Sequence, residues 1–145
     1  MGFGMRINFV DVICDDSLRT VHANGKPVGY AFDIRLSYYR GLFLSCVDQF
    51  ALTVDGQAVN SQDITFGIHG KSIPVNFLSH CASEFWGLTE PASIEVTTAQ
   101  GLEPGAHEID LTLMLRIPYM PIPVGDNLVY MPLDSCGRKT LTLEA

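Results

Sequence analysis

The chain has no run of about 18 apolar residues, so nothing in it reads as a membrane-crossing helix. Positive charge is scarce: nine Lys and Arg stand against sixteen Asp and Glu, for a net charge of −7. Without a basic stripe, neither nucleic acid nor an anionic membrane surface is an expected partner. Cysteine is sparse too, and Cys14, Cys46, Cys81 and Cys136 show no paired spacing. Reduced thiols are therefore expected. The opening Met1-Gly2-Phe3-Gly4-Met5-Arg6 lacks a basic region followed by an apolar stretch and cleavage site, so a cytoplasmic location is expected.

Chemistry-bearing patterns are also missing. His22, His69, His80 and His107 stand far apart, none at i, i+2 or i, i+4, so the His-x-His of a cupin-type metal sandwich is absent. No Gly-x-Ser-x-Gly elbow occurs. Gly67-x-x-Gly70-Lys71-Ser72 lacks the four-residue spacer and following helix of a phosphate loop and reads as a hairpin turn. Cys46, in Leu44-Ser45-Cys46-Val47, reads as packing at a strand start. Asp48, Asp55, Glu84, Glu90, Glu103 and Glu108 are available for a carboxylate pair, but their spacing along the chain does not pair them.

What the chain does have is alternation. Val28, Tyr30, Phe32, Ile34, Leu36 and Tyr38 alternate with Gly29, Ala31, Asp33, Arg35 and Ser37, placing one face on a core and the other towards water or a partner. A Tyr38-Tyr39-Arg40-Gly41 corner follows; Phe50, Leu52 and Val54 then run into the hairpin signal Asp55-Gly56. A first strand is expected over Met5–Cys14, a turn at Asp15-Asp16-Ser17, a short strand from Leu18 to Val21 and a loop at Asn24–Pro27. Ile64, Phe66 and Ile68 lead into an expected four-residue loop, His69–Ser72, before Ile73 and Val75. Residues 78–91 read as a helical turn or an irregular loop. Ile94 and Val96 resume a strand, and Ile109 to Ile117 form the clearest one, expected to end at Pro118, Pro121 and Pro123. Val129 with Met131, and Leu141 with Leu143, give two more.

Because no segment holds a 3.6-residue period over three turns, the expected fold is all-β: an antiparallel, jelly-roll-like sandwich in one domain, residues 1–145. A closed barrel has the same signature at this level; uneven strand lengths and the prolines favour the sandwich. A chain of this mass exposes roughly 7,000 Å² when folded, against roughly 23,000 Å² unfolded, enough for one core without disulfides. Its apolar content of 47% is high for a small domain. Either the sandwich is well filled or one face is covered by a partner.

One internal echo stands out. Ile34-Arg35-Leu36-Ser37-Tyr38 and Leu115-Arg116-Ile117-Pro118-Tyr119 share the order aliphatic, Arg, aliphatic, small, Tyr. It is either coincidence between similar strands or a sign that both strand ends rim one surface, with Arg35 and Arg116 on a shared outer face and each Tyr at core parity. Trp86, between Phe85 and Gly87, reads equally as an aromatic platform and as a core anchor.

Tyr38-Tyr39-Arg40-Gly41-Leu42-Phe43-Leu44-Ser45-Cys46-Val47-Asp48, followed by Val54-Asp55-Gly56, resembles the small (beta) subunit of bacterial C-glycoside deglycosidases. Ile64-Thr65-Phe66, Trp86, Gly101-Leu102, Gly105-x-His107 and Leu115-Arg116-Ile117-Pro118-Tyr119 agree; an acidic pair common in that family is reduced to Asp48-Gln49. The resemblance covers most of residues 28–120. It implies a two-subunit enzyme whose large (alpha) subunit, a TIM-like barrel, carries a divalent metal, usually manganese, and the catalytic base. That enzyme cleaves the C–C bond between a 3-oxo-glucosyl unit and an aromatic aglycone such as a flavonoid. No catalytic residue and no cofactor is then expected on this chain, whose working form is a hetero-oligomer.

The residues expected at the subunit interface or pocket rim are Arg35, Tyr39, Arg40, Phe43, Trp86, Arg116 and Tyr119. Guanidinium and phenol groups suit such contacts because they offer flat area with directional hydrogen bonds. The alternative for the Tyr-Tyr-Arg-Gly corner is a self-contained tyrosine corner, its hydroxyl bonded to nearby backbone and Arg40 solvated. The alternative function is a stand-alone carbohydrate-binding sandwich using Trp86 and Tyr119 as stacking platforms.

Overall fold

Period-two alternation becomes two antiparallel sheets packed on one core. The computed structural model describes residues 4–99 and 101–144, so the first three residues of the N-terminal stretch fall outside it. The strands are β1 (Arg19–Ala23), β2 (Lys26–Ile34), β3 (Leu42–Phe43), β4 (Val47–Val54), β5 (Gln57–Ala58) and β6 (Ile64–Ile68). They continue as β7 (Lys71–Pro74), β8 (Phe85–Trp86), β9 (Ala92–Thr97), β10 (Gly105–Val124), β11 (Asn127–Asp134) and β12 (Gly137–Leu143). One sheet runs β1-β2-β9-β6-β7 and the other β11-β10-β4-β5, with β12 also on β10; β3 and β8 form a small separate ribbon. β12 pairs the first part of β10 and β11 the last part, end to end on the edge opposite β4.

The core takes side chains from both sheets: Tyr30, Phe32 and Ile34 of β2, Phe66 of β6, Ile94 of β9, and Ile109, Leu111, Leu113, Leu115 and Ile117 of β10. Each fully buried aliphatic contributes about 1.5–3 kcal/mol, so five in one strand make β10 the element on which the sandwich most depends. Asn24-Gly25, Asp55-Gly56 and His69-Gly70 all have positive φ at both residues, the type I′ geometry that suits the twist of a hairpin. The third is therefore a two-residue turn rather than the four-residue loop expected, and Lys71 and Ser72 belong to β7.

Three other expectations are corrected. Met5–Cys14 is an extended strap rather than a continuous strand: its ends meet the sheets as isolated bridges, Met5 with Leu133 and Ile13 with Ile34, and between them its backbone bonds a side chain. Ser37 Oγ receives the Phe9 and Val10 amides at 2.9 and 3.3 Å and donates to the Ile7 carbonyl at 2.6 Å. Met5 exchanges two backbone bonds with Pro132 and Asp134. Val75 is not in the strand expected with Ile73 but opens a 3₁₀ helix, residues 75–80, so the helical turn expected within 78–91 begins earlier, and the chain then returns through β8. Finally, β10 does not end at Pro118 but runs to Val124. β4 stops pairing at Leu115, so beyond it β10 has only β11 beside it. Its other edge needs no amide donors there, and proline is tolerated on such an edge.

Candidate docking site

β2 ends at Ile34, and the chain continues through Arg35-Leu36-Ser37 to a bend at Tyr38-Tyr39-Arg40. In a strand, neighbouring side chains point to opposite faces. Here the Tyr38 and Tyr39 rings are stacked, centroids 4.4 Å apart at 28°, which requires the bend. Tyr38 is 1% exposed and its hydroxyl lies 2.6 Å from that of Tyr119. Burial, and then the bond to Tyr119, push the Tyr38 phenol well above its ordinary pKa, so it stays protonated.

The two tyrosines of the internal echo thus meet. Tyr119 does not lie at core parity, however: it is 44% exposed. The β10–β11 register slips between Arg116 and Pro121, and this bulge swings Tyr119 outward. The Arg40 guanidinium sits 4.6 Å from the Tyr119 ring centroid. Phe9, 63% exposed, tilts against Tyr39 at 6.4 Å. Tyr39, Arg40, Tyr119 and Phe9 therefore form one exposed cluster around the buried Tyr38. The corner is not the self-contained kind, because the Tyr38 hydroxyl bonds a side chain of the opposite sheet.

Gly41 carries the chain from this cluster to β3. A Cβ there would lie 2.5 Å from the Trp86 carbonyl oxygen and 2.7 Å from the Phe85 ring, so only glycine lets β8 approach. Phe43 then meets Phe85 edge to face at 5.1 Å, both partly exposed. Arg35 donates through Nε to the Asp11 carbonyl at 2.8 Å and borders an apolar groove of about 450 Å³ with Phe9, Leu36, Tyr38, Leu88 and Pro91.

Two other expected site residues lie apart from this cluster. Arg116 does not share a face with Arg35: it lies on β10 of the other sheet, pairs with Asp48 at 3.2 Å and donates to the Ser45 carbonyl. Beside it, burial raises the Cys46 thiol pKa despite the nearby Arg116 charge, which keeps this cysteine protonated and unreactive. Trp86 is 0% exposed; its Nε1 donates to the Glu90 carbonyl at 2.8 Å, and its ring meets Phe66 edge to face. It is the core anchor and not a platform.

Two histidines are tied into ion pairs. His107 reaches Asp55 at 2.6 Å through Nδ1 and the Glu103 carbonyl at 2.6 Å through Nε2. Both partners are acceptors, so the ring is an imidazolium with no free nitrogen for base catalysis. The Asp55 bond raises the His107 pKa, and His107 holds the Asp55 carboxyl below its ordinary value. His69 bridges Glu84 and Glu90 at 3.0 and 2.7 Å, with Lys71 also on Glu84. Among the described residues, no group of three or more His, Cys, Asp or Glu could hold a metal ion. All four cysteines are free, and among the described residues no helix is long and apolar enough to cross a membrane.

Phe9 is the cluster residue that periodicity hides, since Ile7 and Phe9 alternate as core residues would. Its contact with Tyr39 arises from the Ser37 tie, which no local pattern announces.

Fold and site together define a β-sandwich with an exposed cluster of aromatic rings and one arginine at one end. A family model, the C-glycoside deglycosidase beta subunit, matches residues 9–119. A C-glycoside deglycosidase beta subunit from Eubacterium cellulosolvens is 33% identical over 118 residues, covering 77% of this chain and 80% of that protein. A 3'-dehydrocarminate deglycosidase beta subunit from a Microbacterium species is 32% identical over 94 residues, covering 65% and 70%. A further C-glycoside deglycosidase beta subunit, from Microbacterium trichothecenolyticum, is 30% identical over 112 residues, covering 77% and 82%. The chain belongs to the C-glycoside deglycosidase beta subunit family. Membership implies a companion alpha subunit. The matched segment begins at Phe9 and ends at Tyr119, and so spans the whole aromatic cluster.

Proposed function

We propose that this chain is the non-catalytic beta subunit of a C–C-cleaving C-glycoside deglycosidase, seated on its alpha subunit through Phe9, Tyr39, Arg40 and Tyr119, with Phe43 at the margin. The observation that carries this reading is the cluster itself: four exposed side chains of hot-spot type, held in place by the Tyr38–Tyr119 bond. Arg35 extends the surface along its apolar groove.

On this reading the alpha subunit is a TIM-like barrel that holds a divalent metal, manganese, and the catalytic base. The substrate is a 3-oxo-C-glucoside of an aromatic aglycone such as a flavonoid. Its 3-keto group acidifies the C2–H; a base removes that proton, and the aryl group leaves C1 by elimination. The beta subunit contributes docking and the rim of the pocket. Its free thiols suit a reducing cytoplasm. A stand-alone carbohydrate-binding role has less support, because Trp86 is buried and Arg40 covers one face of Tyr119.

The chain is expressed alone and together with the alpha subunit, and a 3-oxo-C-glucoside is assayed. Activity should need both chains, and Tyr39→Ala with Arg40→Ala should weaken co-purification. Full turnover by this chain alone, or glycan binding by it as a lone monomer, overturns the reading.

A further inference from the structure

β10 and β11 continue past the body as a two-stranded ribbon, residues 121–130, joined at Gly125-Asp126. β4 leaves β10 at Leu115, so among the described residues the ribbon has no sheet neighbour on that side. Val124, Leu128, Val129 and Tyr130 are 41–72% exposed, and Asp126 is the only charged residue between Ile117 and Met131. A lone two-stranded ribbon is marginal in water. Exposed edges in soluble proteins normally carry lysine or other charges. Here β10's free edge is guarded by Pro118, Pro121 and Pro123, whereas the β11 edge from Asn127 to Met131 has neither proline nor charge. The chain exposes 8178 Å², against roughly 7,000 Å² expected of a compact body of its mass. A projecting ribbon is a source of such an excess.

We propose that this ribbon is a docking arm received by an apolar cleft of the alpha subunit, with the β11 edge adding to a strand of that partner; the proposal rests on the beta-subunit reading above. This occupant is favoured over a second copy on two counts. Each copy carries a net charge of −7, so two copies repel. Two arms joined edge to edge would also cover too little: the exposed apolar side chains of one arm amount to on the order of 400 Å², where a stable interface needs about 800 Å² per partner. Insertion into a cleft covers both faces of the arm. It is also continuous with the aromatic cluster, because Tyr119 stands at the arm's base. Strand addition at the β11 edge supplies backbone bonds, and Leu128 and Tyr130, two residues apart, present to one face.

The test is titration of the purified alpha subunit with wild-type chain and with Leu128→Asp/Tyr130→Asp, alongside Tyr39→Ala/Arg40→Ala. The arm variant should bind about 30-fold or more weakly, as expected when buried hot-spot side chains are lost. Its circular dichroism and melting as an isolated chain should match wild type, because both positions are exposed. Arm-variant binding within threefold of wild type, with the cluster variant still weakened, overturns the arm and leaves the beta-subunit reading standing. A wild-type dimer that the arm variant converts to monomer also overturns it, in favour of a second copy. No binding by the wild-type chain overturns both.

Discussion

The hydroxyls of Tyr38 and Tyr119, 81 residues apart in sequence, meet at 2.6 Å. One side of this bond is nearly dry and the other opens to the surface. Removing one partner therefore costs more than the bond is worth, since it strands the other. Tyr119→Phe should destabilise the chain by about 1–3 kcal/mol, the cost of an unsatisfied buried polar group. Tyr38→Phe combined with Tyr119→Phe should recover part of that loss. Urea denaturation of the wild type and the two variants checks both expectations; a double variant less stable than Tyr119→Phe alone contradicts them.

The His107–Asp55 pair predicts a pH profile. His107 has its pKa raised above 6.5, so its stabilisation is complete below about pH 6.5 and is lost as pH rises through the folded value. Asp55 has its pKa lowered below 3.8, so its contribution is present above about pH 4 and is lost as pH falls through the folded value. The pair is thus strongest between roughly pH 4 and 6.5. Urea midpoints from pH 5 to 9 should fall with rising pH, and His107→Gln should flatten that slope. His69, raised in the same direction by Glu84 and then Glu90, should leave a residual slope that His69→Gln removes.

Gly41→Ala tests the close approach of β8. The added methyl would meet backbone oxygen at 2.5 Å, and backbone does not yield as a flexible side chain does. Overpacking of this kind costs about 1–3 kcal/mol. A lowered melting temperature should be accompanied by weaker binding to the alpha subunit, because Gly41 links Arg40 to Phe43.

Arg116→Ala should do little. Its pairing with Asp48 is substantially exposed and contributes about 0–1 kcal/mol. Its side chain reaches Asp48 and the Ser45 carbonyl rather than the aromatic cluster. Affinity for the alpha subunit should stay within about threefold of wild type, and a large loss would place the interface on the β10 outer face instead.

Much of the fold was legible because alternation is a local signal. Val28–Ile34, Ile64–Ile68 and Ile109–Ile117 announced their strands, and Asp55-Gly56 announced its turn. What stayed hidden depends on partners distant in sequence. Ser37 ties down Phe9 and Val10 through one oxygen, so apolar residues that alternate like a strand become a strap. The prolines after Ile117 would end a central strand, yet β4 has already left, and whether a strand is an edge is a property of the sheet. At the site, the tyrosine echo correctly pointed to one meeting place. The arginine echo did not, because the two copies of the pattern sit on opposite sheets and parity directs their charged side chains away from each other. Trp86 was ambiguous for the same reason: its local residues do not reveal that Phe66 closes over it.

The chain's one tryptophan is sealed against Phe66 and remote in role from the exposed tyrosines. Its fluorescence should be blue-shifted in the native protein and move to the red only when the core opens. Assembly with the larger subunit should leave that emission wavelength unchanged while altering the tyrosine signal. The molecule thereby contains separate optical reporters for folding and for association.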